Sequence, residues 1–281
     1  MLSSCGNKEN DDKIKIAYLP ITHALTVCEL AEESDDIELV KYGSWTELMD
    51  ALNTGRVDGA SVLIELAMKS KEQGVNISAV ALGHKDGNVI ITSDKINDIT
   101  DLKGKTFAIP HRQSSHNILL NEALSGAGMS IDDVNITELS PTEMPSALAG
   151  GQIDGYCVAE PFGAKAVSMG IGKVLYTSED LWQDSLCCGL VLTDKFIEKN
   201  PDKSEKLIAD YKQAGKNLDT EKSKEVAKKY LNQDEDVLDI SLQWISYDNL
   251  DITEEAYNSL TEKVVKYGLS DKPPVYEEFV K

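Results

Sequence analysis

Asn53–Ala60 reads NTGRVDGA, and Ala149–Tyr156 reads AGGQIDGY. Each stretch ends a helix-like segment, turns on glycine, and enters a predicted β-strand through an apolar residue followed by Asp-Gly. The same local pattern in two distant parts of one chain predicts two lobes that are built in a similar way.

Short apolar segments alternate with longer segments of helical period around the first of these turns. The predicted strands there are Ile14–Leu19, Ile37–Tyr42, Gly59–Ile64, Ile77–Leu82 and Val89–Thr92. The predicted helices between them are Ala24–Glu33, Trp45–Thr54 and Glu65–Gln73. Alternation of this kind predicts an α/β fold with a mainly parallel sheet and right-handed crossovers.

A second unit, about the size of one small domain, begins near Asp98. Its predicted strands are Thr106–Pro110, Val134–Leu139, Gly155–Val158 and Val174–Thr177, and its predicted helices are Ser115–Ser125, Glu143–Leu148 and Phe162–Ser168. The chain after Asp194 reads as amphipathic helices, including Val237–Ile245, that we expect to pack back onto the first unit.

The predicted domain organisation follows from these two units. Residues 13–92 and 195–281 form lobe 1, and residues 98–184 form lobe 2. Residues 93–97 and 185–194 are predicted to be the two crossings of a hinge, with a ligand cleft between the lobes.

The composition restricts the class of partner. The chain has 281 residues, of which 41% are hydrophobic and 27% charged, as in an ordinary globular protein. Its net charge of -20 opposes binding to nucleic acid, because that binding needs Lys and Arg against phosphates. We expect a monomer that binds a small-molecule solute.

The first residues resemble a lipoprotein processing site. The letters LSSC at residues 2–5 are followed by a polar tether that runs to Asp12, although no apolar signal stretch precedes them in this sequence. We expect residues 1–12 to be lipobox and tether. Lipid on Cys5 would then anchor the protein to the outer face of the cytoplasmic membrane, as in Gram-positive bacteria.

Ligands of open α/β sheets bind at the carboxyl ends of the strands. The residues at the predicted strand exits are therefore the candidate ligand-binding set: His23, Ser44, Trp45, Thr46, Glu65, His84, Asn88, His111, Arg112, Gln113, Ser114, Ser115, His116 and Glu160. All four histidines of the chain belong to this set, two in each predicted lobe.

Two kinds of ligand fit these side chains. Neutral imidazoles bind zinc and other transition metals, so His23, His84, His111 and His116 are candidate metal ligands, with Glu65, Glu160 or a cysteine as a further ligand. Alternatively, the imidazoles and four hydroxyl groups hydrogen-bond a polar organic ligand, helped by helix N-termini if it is anionic. The hydroxyl groups are those of Ser44, Thr46, Ser114 and Ser115. Neither interpretation requires a cofactor, and Zn²⁺ is the metal that the first one suggests.

The cysteines beyond Cys5 match no CxxC motif for metal or redox chemistry. We interpret Cys28 and Cys157 as small buried hydrophobic residues. A disulfide between the neighbours Cys187 and Cys188 would be strained.

Several segments resemble the extracytoplasmic solute-binding proteins of ATP-driven importers, in the nitrate/sulfonate/taurine/bicarbonate group. They are Lys15–Pro20, Leu52–Ala60, Asp101–Lys105 and Ala159–Phe162, and the resemblance covers about residues 13–195. It implies a type II periplasmic-binding-protein fold, no chemistry on the ligand, and a membrane permease with its ATPase as partners.

The resemblance also implies ligand-facing positions for Trp45 and His116. Gln183, after Trp182, departs from the pattern, because a lysine there would neutralise nitrate. We expect a small polar or anionic solute of the nitrate, sulfonate or bicarbonate type. A transition metal bound by the cleft histidines is one alternative. The other is a thiamin-pyrimidine or similar vitamin-precursor binder, or the related synthase.

An enzyme is not expected. The synthase of related fold carries a cysteine cluster, of which only Cys187-Cys188-Gly189 gives a hint here. The chain also has neither a GxSxG nucleophile elbow nor a phosphate-binding P-loop.

Overall fold

The computed structural model describes residues 13–281. The predicted lipid site at Cys5 and the tether to Asp12 lie outside the described residues. None of the described helices combines the length and the apolar composition that crossing a bilayer requires.

The strands of residues 13–281 are β1 (Ile14–Tyr18), β2 (Ile37–Lys41), β3 (Gly59–Leu63), β4 (Ile77–Leu82), β5 (Lys85–Asp86), β6 (Asn88–Thr92), β7 (Thr106–Ile109), β8 (Asn135–Glu138), β9 (Gly155–Ala159), β10 (Lys173–Thr177), β11 (Cys188–Thr193) and β12 (Ile245–Ser246).

The helices are α1 (Leu25–Glu33), α2 (Trp45–Asn53), α3 (Ile64–Glu72), α4 (Ser115–Gly126), α5 (Met144–Ala149), α6 (Phe162–Ser168), α7 (Ser178–Leu181), α8 (Asp194–Lys199), α9 (Pro201–Asn217), α10 (Thr220–Leu231), α11 (Glu235–Ser241), α12 (Glu254–Lys266) and α13 (Tyr276–Phe279). Short 3-10 turns occupy Thr22–Ala24, Ile99–Leu102 and Ile131–Asp133.

Two five-stranded sheets share one topology. The first has the order β2-β1-β3-β11-β4, and the second has the order β8-β7-β9-β6-β10. In each sheet one strand, β11 or β6, runs antiparallel to both of its neighbours. The prediction of a mainly parallel arrangement is therefore confirmed, with one antiparallel strand inserted in each sheet.

The repeated Asp-Gly turn has the same function in both sheets. The Asp58 carboxylate accepts a hydrogen bond from the Lys15 backbone N–H at 2.9 Å, and the Asp154 carboxylate accepts one from Thr106 N–H at 3.0 Å. Each Asp thus fixes the start of the parallel strand that pairs with its own, β1 in the first sheet and β7 in the second.

The glycine that follows each Asp allows the antiparallel strand to pass close by. A Cβ on Gly59 would lie 3.0 Å from the Val191 carbonyl oxygen in β11. A Cβ on Gly155 would lie 2.8 Å from the Ile91 carbonyl oxygen in β6. The sequence repeat therefore marks the place where each inserted strand joins its sheet.

The predicted lobe boundaries differ from the sheets in two places. β6 lies in the second sheet, although Val89–Thr92 was assigned to lobe 1, and β11 lies in the first sheet, within the predicted crossing 185–194. Both strands are short, buried apolar runs, and such a run identifies a strand without identifying its sheet. The chain crosses between the sheets after Leu82 and again after Thr177. A hinge at these crossings stays a prediction.

The C-terminal helices cover both units. α9 and α10 pack against α1, as predicted, but α11 packs against α6, which belongs to the second unit. The predicted helix at residues 237–245 instead ends at Ser241, and Ile245 pairs with Asp86 in the small sheet of β12 and β5. The helical tail therefore also covers the first crossing.

Candidate functional site

Two histidines and two cysteines meet at the edge of the first sheet. His23 follows β1 and His84 follows β4, while Cys187 and Cys188 stand at the start of β11. Because β11 is antiparallel to β3 and β4, its start lies beside their carboxyl ends. None of these four residues, which we call the His–Cys cluster, is more than 2% exposed.

The spacing of the donor atoms is that of ligands around one metal ion. The two Sγ atoms lie 3.8 Å apart, and the Nδ1 atom of His23 lies 3.6 Å from Cys187 Sγ and 3.5 Å from Cys188 Sγ. Tetrahedral zinc places two sulfurs about 3.8 Å apart, and a sulfur and a nitrogen about 3.6 Å apart, at its usual bond lengths. One donor atom from each of the four residues lies within 4.8 Å of all the others.

The His23 ring is held in the orientation that a metal ligand needs. Its Nε2 lies 3.0 Å from the Gly87 carbonyl oxygen, to which it donates a hydrogen bond. In the neutral ring the lone pair then lies on Nδ1, the atom that faces the two sulfurs. Metal-binding histidines commonly donate their other N–H to a carbonyl or carboxylate in this way.

His84 supplies an uncharged imidazole beside His23. The two rings stack with their centroids 3.5 Å apart and their planes 25° apart. Burial, with a smaller contribution from His23, lowers the pKa of His84 to about 4, so the ring is neutral at physiological pH. Within residues 13–281 neither of its ring nitrogens has a hydrogen-bond partner. An unsatisfied buried polar group costs about 1–3 kcal/mol, a cost that metal coordination would remove.

The two cysteines differ in the direction of their pKa shifts. Burial raises the pKa of Cys188 well above its ordinary value, and the neighbouring Cys187 adds to the rise. Burial opposes ionisation of Cys187 as well, but the hydrogen bond from Cys188 and the contacts with His23 outweigh it and lower the pKa of Cys187. The thiolate is the form that binds metals, so a lowered pKa favours Cys187 as a ligand.

The second sheet contributes further buried polar groups near the cluster. His116 and Ser115 begin α4, Asn88 begins β6, and Glu160 follows β9. Burial lowers the pKa of His116 to about 4, and neither ring nitrogen has a hydrogen-bond partner in the described chain. A backbone link joins the sheets here, because the N–H and the hydroxyl of Thr22 both donate to the Glu160 carbonyl oxygen at 2.9 Å.

The donor groups of this region suit a cation better than an anion. Glu65 and Glu160 are at most 2% exposed, and burial raises the pKa of both carboxyls, that of Glu160 to about 8. No Lys or Arg side chain is buried anywhere in residues 13–281. The region therefore offers sulfur, imidazole and carboxyl donors without a basic side chain to neutralise an anion.

The structure brings together only part of the predicted ligand-binding set. Seven of its members are buried at the ends of the strands that meet between the two sheets: His23, His84, His116, Glu65, Asn88, Ser115 and Glu160.

His111 stays outside the His–Cys cluster. It is only half-buried, and its Nδ1 accepts a hydrogen bond from Gln113 N–H at 2.9 Å, so it is engaged by its own loop. Arg112 is exposed, and Gln113 donates to the Leu269 carbonyl oxygen at 2.6 Å. Of the four histidines that are predicted as metal ligands, three are buried: His23, His84 and His116.

Two predicted hydroxyl donors instead cap helices. Ser44 accepts from Glu47 N–H at the start of α2, and Ser114 accepts from Asn117 N–H at the start of α4, both at 3.3 Å. Capping satisfies the first free N–H groups of a helix and needs no ligand. Trp45 is buried and Thr46 is exposed.

The sequence prediction missed Cys187 and Cys188 as cluster members. Neighbouring side chains within a strand point to opposite faces, so an adjacent pair does not read as a ligand pair. Here Cys187 precedes the strand and only Cys188 lies within it, which allows both sulfurs to face His23. The available signal was an adjacent cysteine pair at the entrance to a buried apolar run.

Comparison with known proteins establishes the family. Residues 7–232 match the model of the NMT1-like family, and the chain belongs to that family. It is 27% identical over 224 residues to the nitrate import ATP-binding protein NrtC of Synechocystis sp.. The aligned part is 70% of this chain and 33% of NrtC. The chain thus spans about a third of the length of that relative.

Solved structures establish the fold. The ligand-binding component of an ABC-type import system from Staphylococcus aureus, solved with zinc bound, is 41% identical with a TM-score of 0.91. That match covers 96% of this chain and 97% of the other. The periplasmic nitrate-binding protein NrtA from Synechocystis aligns with a TM-score of 0.83 at 16% identity, over 93% of this chain and 83% of that one. The implied periplasmic-binding-protein fold is confirmed.

Proposed function

We propose that this protein is the extracytoplasmic solute-binding component of an ATP-driven importer and that its solute is a thiophilic divalent metal ion such as Zn²⁺. The ligands would be His23, His84, Cys187 and Cys188. The observation that carries the proposal is the spacing of His23 Nδ1 and the two sulfurs, 3.5 to 3.8 Å, which matches the edges of a zinc tetrahedron. The zinc-bound Staphylococcus aureus relative supports it.

The donor set selects among cations. Thiolate and imidazole favour Zn²⁺ and softer ions, whereas Mg²⁺, Ca²⁺ and Mn²⁺ prefer oxygen ligands. The buried carboxyl groups of Glu65 and Glu160 add oxygen donors, and a bound cation would favour their ionised form. Import of a first-row transition metal agrees with both features.

We infer that the protein binds this ion without catalysing a reaction. Catalytic zinc sites keep one position open for water, whereas four protein ligands close the coordination shell. The four-residue His–Cys cluster belongs to the closed kind.

The proposed partners are a membrane permease and its ATPase, since relatives of the family belong to import systems. We propose that the protein acts outside the cytoplasm. Lipid anchoring through Cys5 to the outer face of the cytoplasmic membrane of a Gram-positive bacterium stays a prediction on residues outside those described.

A small anion of the nitrate, sulfonate or bicarbonate type is the second candidate solute. The name of the relative NrtC favours it. Asn88 Nδ2 and Ser115 Oγ are buried polar atoms without partners in residues 13–281, and Ser115 begins α4, where an anion would meet the helix dipole. The lack of a buried Lys or Arg side chain in residues 13–281 opposes it.

A competition titration distinguishes the two solutes. Reduced, metal-free protein is titrated with Zn²⁺ in the presence of a chromophoric chelator, and with nitrate by calorimetry. We expect one Zn²⁺ per chain. Cys187→Ser should weaken zinc binding at least about 100-fold, since loss of even an outer-shell partner costs 10- to 100-fold. Cys28→Ser is the matched control, because Cys28 is also free and buried but is not a member of the cluster.

Three outcomes would reject the metal as solute. They are a wild-type protein that takes up no Zn²⁺, equal weakening by the two serine substitutions, and saturable nitrate binding by metal-free protein that Zn²⁺ does not affect.

A further inference from the structure

A crevice of about 390 Å³ is lined by the chain segments that flank His84 and precede Cys187. Its lining includes Leu82 and residues 85–86, on either side of His84, and residues 183–186, directly before Cys187. The crevice is therefore walled by the chain neighbours of two proposed metal ligands. It reaches the surface at the exposed residues Gln183 and Asp184.

Carboxylates dominate the lining. Four acidic residues contribute to it: Asp86, Asp184, Asp251 and Glu255. Two basic groups offset part of this charge, Lys85 in the lining and Lys212, whose Nζ lies 2.6 Å from Asp251 Oδ1. Asp184 and Glu255 make no side-chain ion pair or hydrogen bond with any other residue of the described chain. The crevice keeps a negative field that would attract a cation.

A buried hydroxyl lies between the acidic mouth and the cysteine pair. Ser185 is 7% exposed, lines the crevice, and its Oγ has no hydrogen-bond partner in residues 13–281. Buried hydroxyl groups are normally satisfied, so an unpartnered one in the wall of a crevice points to a ligand there. Along the chain Ser185 is two residues from Cys187 and next to Asp184.

We propose that this crevice is a second, transient cation site through which the metal enters. Oxygen atoms of Asp184, Glu255 and Ser185 would hold a hydrated divalent ion weakly before it passes to the sulfurs of the cluster. Hard oxygen ligands suit a cation that keeps its waters, and thiolate suits the dehydrated zinc ion. The destination of the ion rests on the proposed function, whereas the cation site in the crevice does not.

Association kinetics test the route. Zn²⁺ uptake is followed by stopped-flow tryptophan fluorescence in wild type and in Asp184→Asn/Glu255→Gln. We expect the association rate constant to fall about 10-fold at low ionic strength, and less at high ionic strength, because electrostatic steering is screened by salt. The dissociation rate should fall in parallel, which leaves the equilibrium affinity within about 3-fold of wild type, since the variant changes the path and not the ligands.

Asp132→Asn/Glu205→Gln is the matched control for net charge. Both residues are exposed and lie outside the crevice lining, and the double substitution removes the same two charges. We expect it to change the association rate less than 2-fold. Equal slowing by the two double variants would overturn the entry route.

Mn²⁺ tests the site independently of zinc. In a Cys187→Ser/Cys188→Ser background, bound Mn²⁺ is counted by electron paramagnetic resonance of the free ion. We expect Asp184→Asn/Glu255→Gln to abolish one weak Mn²⁺ site that Asp132→Asn/Glu205→Gln retains. Retention of that site in the crevice variant would overturn the proposal. If wild type takes up no Zn²⁺, the proposed function is rejected. The number of bound Mn²⁺ ions then still tests whether the crevice holds a cation site.

Discussion

The Nε2–H of His23 donates a hydrogen bond to the carbonyl oxygen of Gly87, 3.0 Å away. His23 follows the first strand of the first sheet, and Gly87 lies in the crossing that leads to the second sheet. The proposed metal ligand is therefore oriented by the segment that joins the two sheets. Any movement of this crossing would change the direction of the Nδ1 lone pair.

Gly87→Ala should weaken zinc binding through this hydrogen bond. Gly87 has a φ of +79°, which strains any L side chain, and an added Cβ would lie 2.8 Å from Ile245 Cδ1 and 3.1 Å from Ile245 Cβ, so the Ile245 side chain or the Gly87 backbone must shift. We expect a 10- to 100-fold loss of affinity, as for other outer-shell changes, together with about 1–3 kcal/mol of destabilisation from the strained backbone. Competition titration measures the affinity, and urea denaturation measures the stability.

Gly104→Ala is the control for backbone strain. Gly104 has a φ of +71°, and an added Cβ would have no atom within 4 Å. It should lose stability but keep its zinc affinity. An equal loss of affinity in the two variants would contradict a specific role for Gly87.

Zinc should stabilise the folded protein through His84. A ligand at 100 times its dissociation constant adds about 2.7 kcal/mol to the free energy of unfolding, and a chelator should remove the gain. The gain should vanish in His84→Asn and persist in His111→Asn, because His111 lies outside the cluster. Thermal denaturation with and without Zn²⁺ measures it. A gain in both histidine variants would exclude His84 as a ligand.

Protonation of His116 should destabilise the metal-free protein in acid. Burial lowers its pKa from 6.5 in the unfolded chain to about 4, so between these values the unfolded state binds more protons. The contribution of the neutral His116 ring to the free energy of unfolding is therefore complete above pH 6.5 and is lost as the pH falls toward 4. Glu160, with its pKa raised from 4.5 to about 8, acts in the opposite direction between these two pH values, which overlap the range of His116.

Comparison with His116→Gln isolates this histidine from Glu160. The free energy of unfolding of wild type minus that of the variant should rise with pH between about 4 and 6.5, by at most about 1.4 kcal/mol per pH unit. Urea denaturation of metal-free protein across this range measures the difference. A difference that does not depend on pH would show that His116 does not titrate in this way.

Asp154→Ala should destabilise the fold and leave the metal site unchanged. Its carboxylate accepts the Thr106 N–H at 3.0 Å, and a hydrogen bond to a charged group contributes about 1.5–3 kcal/mol. Urea denaturation should show a loss of this order, with zinc affinity unchanged. Asp132→Ala, at an exposed position without such a bond, should cost less than about 0.5 kcal/mol. Loss of zinc affinity in Asp154→Ala would mean that the two regions are coupled.

Local pattern was enough to predict most elements of the fold. The alternation of strands and helices identified β1 to β4 and β7 to β10, because each is a short apolar run between turn signals. Local pattern could not assign β6 and β11 to their sheets, because that assignment depends on pairing between distant parts of the chain. Strand direction also decided the site, since only the antiparallel course of β11 places Cys187 and Cys188 beside His23.

The histidines show the same limit of prediction from local sequence pattern. His23 and His84 were selected because they follow strands, and the structure places them in ring contact. His111 also follows a strand, but its loop turns the ring toward Gln113 N–H. The position of a residue along a strand can be predicted, whereas the rotation of a loop around it depends on contacts that no local pattern contains.

The inserted antiparallel strands also set the order in which the protein can fold as it is synthesised. β3 and β4 cannot complete their sheet until β11 has left the ribosome, because β11 lies between them. Until then the growing chain exposes open strand edges, which are sites of aggregation. Chaperones would have to protect those edges during that interval. The position of one strand thus connects the candidate site with the biogenesis of the protein.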